Sequence, residues 1–193
     1  LQTATTTYTF NPAPTISGIA PTNGRQSGGT TVTLTGTGFI AGATVTFGAS
    51  GASIGSLTAT QIVCTSPAAA SGGLVTVTVT NPDTQSATTS YTYNPPPTIS
   101  GLNPSTGLTT GGYTVTIGGT GFLAGATVTF GAAGATVTLN TATSLEVTAP
   151  ISATNGVVTV TVTNTDGQNV SANFTYAYPP PTLASVPRGA GPR

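Results

Sequence analysis

GTGFIAGATVTFGA, Gly36–Ala49, returns as GTGFLAGATVTFGA, Gly119–Ala132. The offset is 83 residues, and at that offset Pro14–Tyr93 falls on Pro97–Tyr176 without a gap, more than half the positions being identical. The 193-residue chain therefore holds two copies of one folding unit. Within the quoted stretch, Val45 and Phe47 alternate with Thr44 and Thr46, a period of two that marks a strand with one buried face.

The same alternation recurs on either side. In Thr31–Thr35 and Thr114–Gly118 the apolar positions are Val32, Leu34, Val115 and Ile117. In Leu74–Asn81 and Val157–Asn164 they are Val75, Val77 and Val79, then Val158, Val160 and Val162. Threonine fills the opposite parity, giving sheets with an apolar face and a hydroxyl face, as in antiparallel sheets packed on one side. Gly28-Gly29, Asn81-Pro82-Asp83, Asn155-Gly156 and Asp166-Gly167 supply turns between the strands. No stretch has helical spacing. About seven strands in about eighty residues is the pattern of a small β-sandwich, and about a dozen inward side chains, at about 1.5–3 kcal/mol each, suffice for its core.

Composition narrows the function. Arg25, Arg188 and Arg193 stand against Asp83, Glu146 and Asp166, with no lysine and no histidine. An ordinary domain is about one quarter charged. Disorder requires low hydrophobicity together with high net charge, and this chain has neither. No run of about eighteen apolar residues is present to span a membrane. No basic segment leads an apolar run at the start, so a secreted protein would be represented by its mature form or a fragment.

The residues that carry chemistry are sparse. General acid–base work uses histidine or neighbouring carboxylates. Asp83 and Asp166 are equivalent turn positions of successive repeats, and Glu146 takes the place of Val63 on an outward parity. We expect no enzyme activity and no cofactor. Calcium needs six to eight oxygens and zinc a set of Cys, His or carboxylate ligands, so no metal site is expected. Cys64 aligns with Val147 and reads as a small buried hydrophobe. In Gly36-Thr-Gly38-Phe39 and Gly119-Thr-Gly121-Phe122 a strand follows, where a phosphate loop would open a helix. The motif reads as a bend with close backbone approach, anchored by its phenylalanine. Nucleic acid is excluded as a partner, because phosphate binding rests on Lys and Arg. Asn169-Val-Ser171 and Asn173-Phe-Thr175 are formal glycosylation sequons facing solvent.

The pattern P-T-I-S…G-G…T-V-T…G-x-G-F…A-T-V-T-F-G…P…V-T-V-T-N…T-Y, present in both repeats, resembles the IPT/TIG domain. The resemblance implies an all-β protein: two tandem immunoglobulin-like β-sandwiches joined by a proline-rich linker. It is similar to the cysteine-poor bacterial secreted members of that family, which implies an extracellular or cell-surface location. The units run over 14–94 and 98–178, with a Pro linker at 95–97, a segment at 1–13 and a tail at 179–193.

The proline runs sit at one phase of the repeat: Pro12 and Pro14, then Pro95, Pro96 and Pro97, then Pro179, Pro180 and Pro181. A polyproline segment can be a ligand for a proline-reading domain, but this phasing points to stiff linkers between sandwiches. Residues 3–10 match a last strand, Ser86–Tyr93, with Tyr8 and Phe10 in the places of Tyr91 and Tyr93. Residues 181–187 match a first strand. Either the chain is an excerpt of a longer array, or these strands dock on a neighbour. In the second case Thr5, Thr7, Tyr8, Thr9 and Phe10 form an intersubunit strand, and copies of the chain or neighbouring Ig-like domains are the partners. Three functions fit: a structural subunit of an extracellular filament, fibre or stalk; an adhesin or carbohydrate-binding accessory module; or a phage or virion decoration domain. For glycan binding the candidate contact is Tyr113, the aromatic that replaces Thr30 of the first repeat.

Overall fold

The computed structural model describes residues 11–181, and the chain divides into two compact units with the boundary between Pro96 and Pro97. Every regular element among the described residues is a strand.

The first unit contains β1 (Thr15–Ala20), β2 (Asn23–Arg25), β3 (Thr31–Thr37), β4 (Thr44–Phe47), β5 (Ser50–Gly51), β6 (Ser53–Leu57), β7 (Gln61–Thr65), β8 (Gly73–Thr80) and β9 (Ser86–Asn94). They form two sheets, ordered β1-β3-β7-β6 and β2-β9-β8-β4-β5. The second unit contains β10 (Thr98–Asn103), β11 (Thr106–Leu108), β12 (Thr114–Thr120), β13 (Thr127–Phe130), β14 (Ala133–Asn140), β15 (Ser144–Thr148), β16 (Gly156–Thr163) and β17 (Asn169–Ala177). Here the two layers are joined through β14, which pairs with β13 at Ala133–Ala135 and with β15 from Thr136 onward. In the first unit the same path is broken between β5 and β6, where Ala52 N donates to Val45 O at 2.8 Å.

The strands expected from alternation form as sandwich strands, with buried residues on the apolar parity. Val32, Leu34, Val45, Phe47, Ile62, Cys64, Val77, Val79, Tyr91 and Tyr93 are buried in the first core. Val115, Ile117, Val128, Phe130, Leu145, Val147, Val160, Val162, Phe174 and Tyr176 repeat the set in the second. Three aromatic rings meet in each. Phe47 and Tyr91 lie 5.0 Å apart edge to face, as do Tyr91 and Tyr93 at 5.2 Å. Phe130, Phe174 and Tyr176 reproduce this at 5.2 and 5.1 Å. Such pairs contribute about 0.5–1.5 kcal/mol each beyond the area they bury.

Two features depart from the simple alternating picture. Strands β2, β5 and β11, two or three residues long, raise the strand number, because so short a pairing leaves no periodicity to read. Moreover, not every pairing is antiparallel. β2 runs parallel to β9, and β11 runs parallel to β17. The chain changes sheets after β1 and after β10, so its next short strand arrives beside the last strand in the same direction.

Candidate functional site

The residues that define this protein's chemistry sit at the poles of each sandwich, where the chain enters and leaves. At the N-terminal pole, Pro14 and its equivalent Pro97 are buried at the start of the first strand, while Pro12 is exposed. The glycine-rich bend closes over this point. A Cβ on Gly36 or Gly119 would collide with the carbonyl oxygen of Thr15 or Thr98 and with the ring of Phe39 or Phe122. Gly38 and Gly121 both have φ +71°, a left-handed conformation that glycine adopts without strain. Phe39 and Phe122 are buried below the bend.

A single asparagine locks each bend to the end of the long strand. Asn81 Nδ2 donates to Gly38 O at 2.8 Å, and its Oδ1 accepts from Ile40 N at 3.2 Å. Asn164 does the same with Gly121 O at 2.8 Å and Leu123 N at 3.0 Å. Both asparagines are buried, and both ends of the amide are used, as a buried polar group requires. The next turn holds itself. Asp83 accepts from Gln85 N at 3.2 Å and from Gln85 Nε2 at 3.1 Å, and Asp166 accepts from Gln168 in the same two ways at 3.0 Å. These carboxylates act as turn formers.

At the C-terminal pole, the parallel pair ties the incoming strand to the outgoing one. Thr92 N donates to Thr22 O at 3.0 Å and Gln26 N to Asn94 O at 2.9 Å. Thr175 N donates to Ser105 O at 3.1 Å and Thr109 N to Ala177 O at 2.9 Å. The last aromatic of each repeat fastens the neighbouring loop, Tyr93 O–H to Pro67 O at 2.7 Å and Tyr176 O–H to Pro150 O at 2.8 Å. Burial pushes both phenols up to about 12 from 10.0, with Tyr91 and Cys64 adding to the effect at Tyr93 and Tyr113 at Tyr176. Pro95 and Pro96 leave this pole exposed, whereas Pro179, Pro180 and Pro181 are exposed after β17.

Tyr113 is half-buried, its ring stacked on Phe174 at 6.5 Å and its hydroxyl donating to Leu108 O at 3.0 Å. It fills a space that the first unit fills differently. A Cβ on Gly107 would meet the Tyr113 hydroxyl, and a Cβ on the equivalent Gly24 would meet the hydroxyls of Tyr91 and Thr30. Thr30 with Tyr91 thus exchanges for Tyr113 with Phe174. Reading the two substitutions together, at the repeat offset, would have revealed this from sequence. The exchange leaves the Tyr91 hydroxyl buried with no hydrogen-bond partner.

Cys64 is buried, and desolvation pushes its thiol up to about 11, so the thiolate that reactivity requires is suppressed. Glu146 sits on the outward side of β15, between buried Leu145 and Val147. Asn169 and Asn173 are exposed on β17. Among the described residues, no three His, Cys, Asp or Glu groups gather to hold a metal, and no helix is long and apolar enough to cross a membrane. Thr5, Thr7, Tyr8, Thr9 and Phe10, the expected intersubunit strand, lie outside the described residues.

This geometry defines a tandem immunoglobulin-like sandwich module whose distinctive residues fix its poles. The IPT/TIG domain model matches residues 14–93 and 97–178, and the chain belongs to that family. The extracellular region of plexin A4 is similar in structure, with a TM-score of 0.56 and 26% identity over 86% of this chain and 16% of that one. SGBP-B from a xyloglucan utilization locus in Bacteroides uniformis matches with a TM-score of 0.38 and 22% identity, over 86% of this chain and 49% of that one. A surface glycan-binding protein from Prevotella bryantii matches at 0.37 and 17%, over 86% of this chain and 42% of that one. The chain thus spans less than half the length of these solved structures. No curated protein matches it by sequence.

Proposed function

We propose that this chain is a non-enzymatic, load-bearing structural unit of an extracellular stalk, fibre or filament. The observation that carries the reading is the parallel pairing of the incoming with the outgoing strand in both sandwiches. Tension applied through the chain pulls β2 and β9, or β11 and β17, in opposite directions along their length. Their hydrogen bonds are then loaded together in shear, and none can break first. The buried Asn81 and Asn164 clamps and the Tyr93 and Tyr176 anchors reinforce the points where tension enters and leaves. Proline linkers between the sandwiches resist coiling. The near absence of charge makes the unit insensitive to salt, since there is little to screen.

A carbohydrate-binding role through Tyr113 has less support, because sugar platforms need exposed aromatic faces and the ring of Tyr113 is stacked against Phe174. Electron micrographs of the native material test the reading. Fibres or stalks with an axial repeat of one or two sandwiches are expected. Free, monodisperse particles unattached to any surface would contradict it.

A further inference from the structure

Of the six large apolar side chains exposed among the described residues, five lie at the C-terminal pole of a sandwich. In the first unit there is one, Leu74, 73% exposed. In the second there are four: Leu108 at 40%, Ile151 at 75%, Val157 at 65% and Tyr178 at 58%. They gather around the end of β17. Leu108 pairs with Ala177 and Val157 with Thr175, while Ile151 follows Pro150, the acceptor of the Tyr176 hydroxyl. Tyr178 is the next residue after β17. Comparison at the repeat offset shows how the patch arises. Leu108 replaces Arg25, Ile151 replaces Ala68 and Val157 replaces Leu74, while Tyr178 is an extra residue before the prolines. Among the described residues, the second unit thus lacks the charge that Arg25 gives this pole in the first, and it has gained apolar bulk. Isolated exposed apolar residues are ordinary, but a cluster at one end marks an interaction surface.

We propose that this pole binds the N-terminal pole of the first sandwich of a second copy, head to tail. The proposal rests on the structural reading above and names the contact through which units would join. The N-terminal pole of the first sandwich has matching chemistry. Pro12 and Ala13 lie over Gly38, and Pro82 lies against Gly42, four residues further along the same bend. Gln85 Nε2 holds the incoming chain there through Asn11 O at 3.0 Å. Pro12, Ala13, Ala41 and Pro82 are exposed, and proline offers no N–H that an apolar partner would leave unpaired. The one carboxylate at that pole, Asp83, is engaged by Gln85. The second sandwich has Thr165 in place of Pro82, so the fit is to the first sandwich rather than to either. A contact between unlike poles is heterologous, and where its rotation does not close into a ring it propagates into a filament.

The test is sedimentation velocity over a range of concentrations on the full chain and on Leu108→Arg with Ile151→Ala. This pair gives the second sandwich the residues the first already carries, so the fold tolerates them. Wild type should associate with rising concentration. The double variant should weaken association at least about tenfold, the loss expected for removing interface anchors, with an unchanged melting temperature. Ile151→Ser alone, in a loop, should act in the same direction. A bismaleimide should also couple a Pro82→Cys chain to an Ile151→Cys chain, the native thiol of Cys64 being buried. Undiminished association of the double variant, coupling between two Ile151→Cys chains, or a wild type that stays monomeric would each overturn the proposal. None of these outcomes alters the response of a single sandwich to tension, so the load-bearing reading stands or falls separately.

Discussion

Equivalent hydroxyls in the two aromatic positions of β9 have opposite energetic signs. Tyr93 donates to Pro67 O, so Tyr93→Phe should destabilise the first sandwich by about 1 kcal/mol, the net value of a hydrogen bond. Tyr91 is buried without a partner, so Tyr91→Phe should stabilise it by about 1 kcal/mol. Urea denaturation of the two variants checks both signs at once. Asn81→Ala and Asn164→Ala remove both bonds of a clamp and strand the backbone groups behind, and should each cost about 2–3 kcal/mol. The pH dependence follows from the same residues. With no histidine, nothing in the fold switches between about pH 5 and 8, and stability should be flat there. Cys64 is raised from 9.0 to about 11, and Tyr93 and Tyr176 from 10.0 to about 12. A raised folded pKa keeps the native state favoured below the unfolded value and loses that advantage as pH climbs toward the folded one. Melting temperatures should therefore begin to fall near pH 9 and drop further from pH 10 to 12. A fall between pH 5 and 8 would contradict these assignments.

At the scale of elements, the load-bearing proposal assigns the incoming and outgoing strands a mechanical role. Thr109→Pro deletes the donor to Ala177 O at the end of the parallel pair. It should lower the unfolding force of the second sandwich markedly and leave that of the first unchanged. Gly36→Ala and Gly119→Ala drive a methyl into the neighbouring first strand and should destabilise their sandwiches by more than about 2 kcal/mol, seen as a separated early transition on heating. The long strands were legible in the sequence because threonine and valine alternate over seven or eight residues, as in Leu74–Asn81. The bend was legible because Gly36-Thr-Gly38-Phe39 recurs intact. The parallel strands β2 and β11 were not. Three residues such as Asn23-Gly24-Arg25 carry no period, and their partner lies about seventy residues away in sequence. The Tyr113 substitution was visible, but its meaning depends on Phe174, a residue that one copy read alone does not flag.

On the scale of the whole chain, family and architecture were legible because two imperfect copies confirm each other position by position. The apolar C-terminal pole was not, since Leu108, Ile151 and Val157 fall in irregular segments or outward parities. There an apolar residue becomes informative only once its exposure is known. The central proposal is that each sandwich resists tension along the chain. The most direct measurement pulls the first sandwich in two geometries by single-molecule force spectroscopy. Handles at Asn11→Cys and Pro96→Cys load β2 against β9 in shear. Handles at Leu74→Cys and Pro96→Cys draw apart the adjoining ends of β8 and β9, whose pairing begins at Gly73 and Tyr93 and then unzips one bond at a time. A clearly higher rupture force in the first geometry is predicted. Equal forces, or a weaker response along the chain, would contradict the load-bearing role.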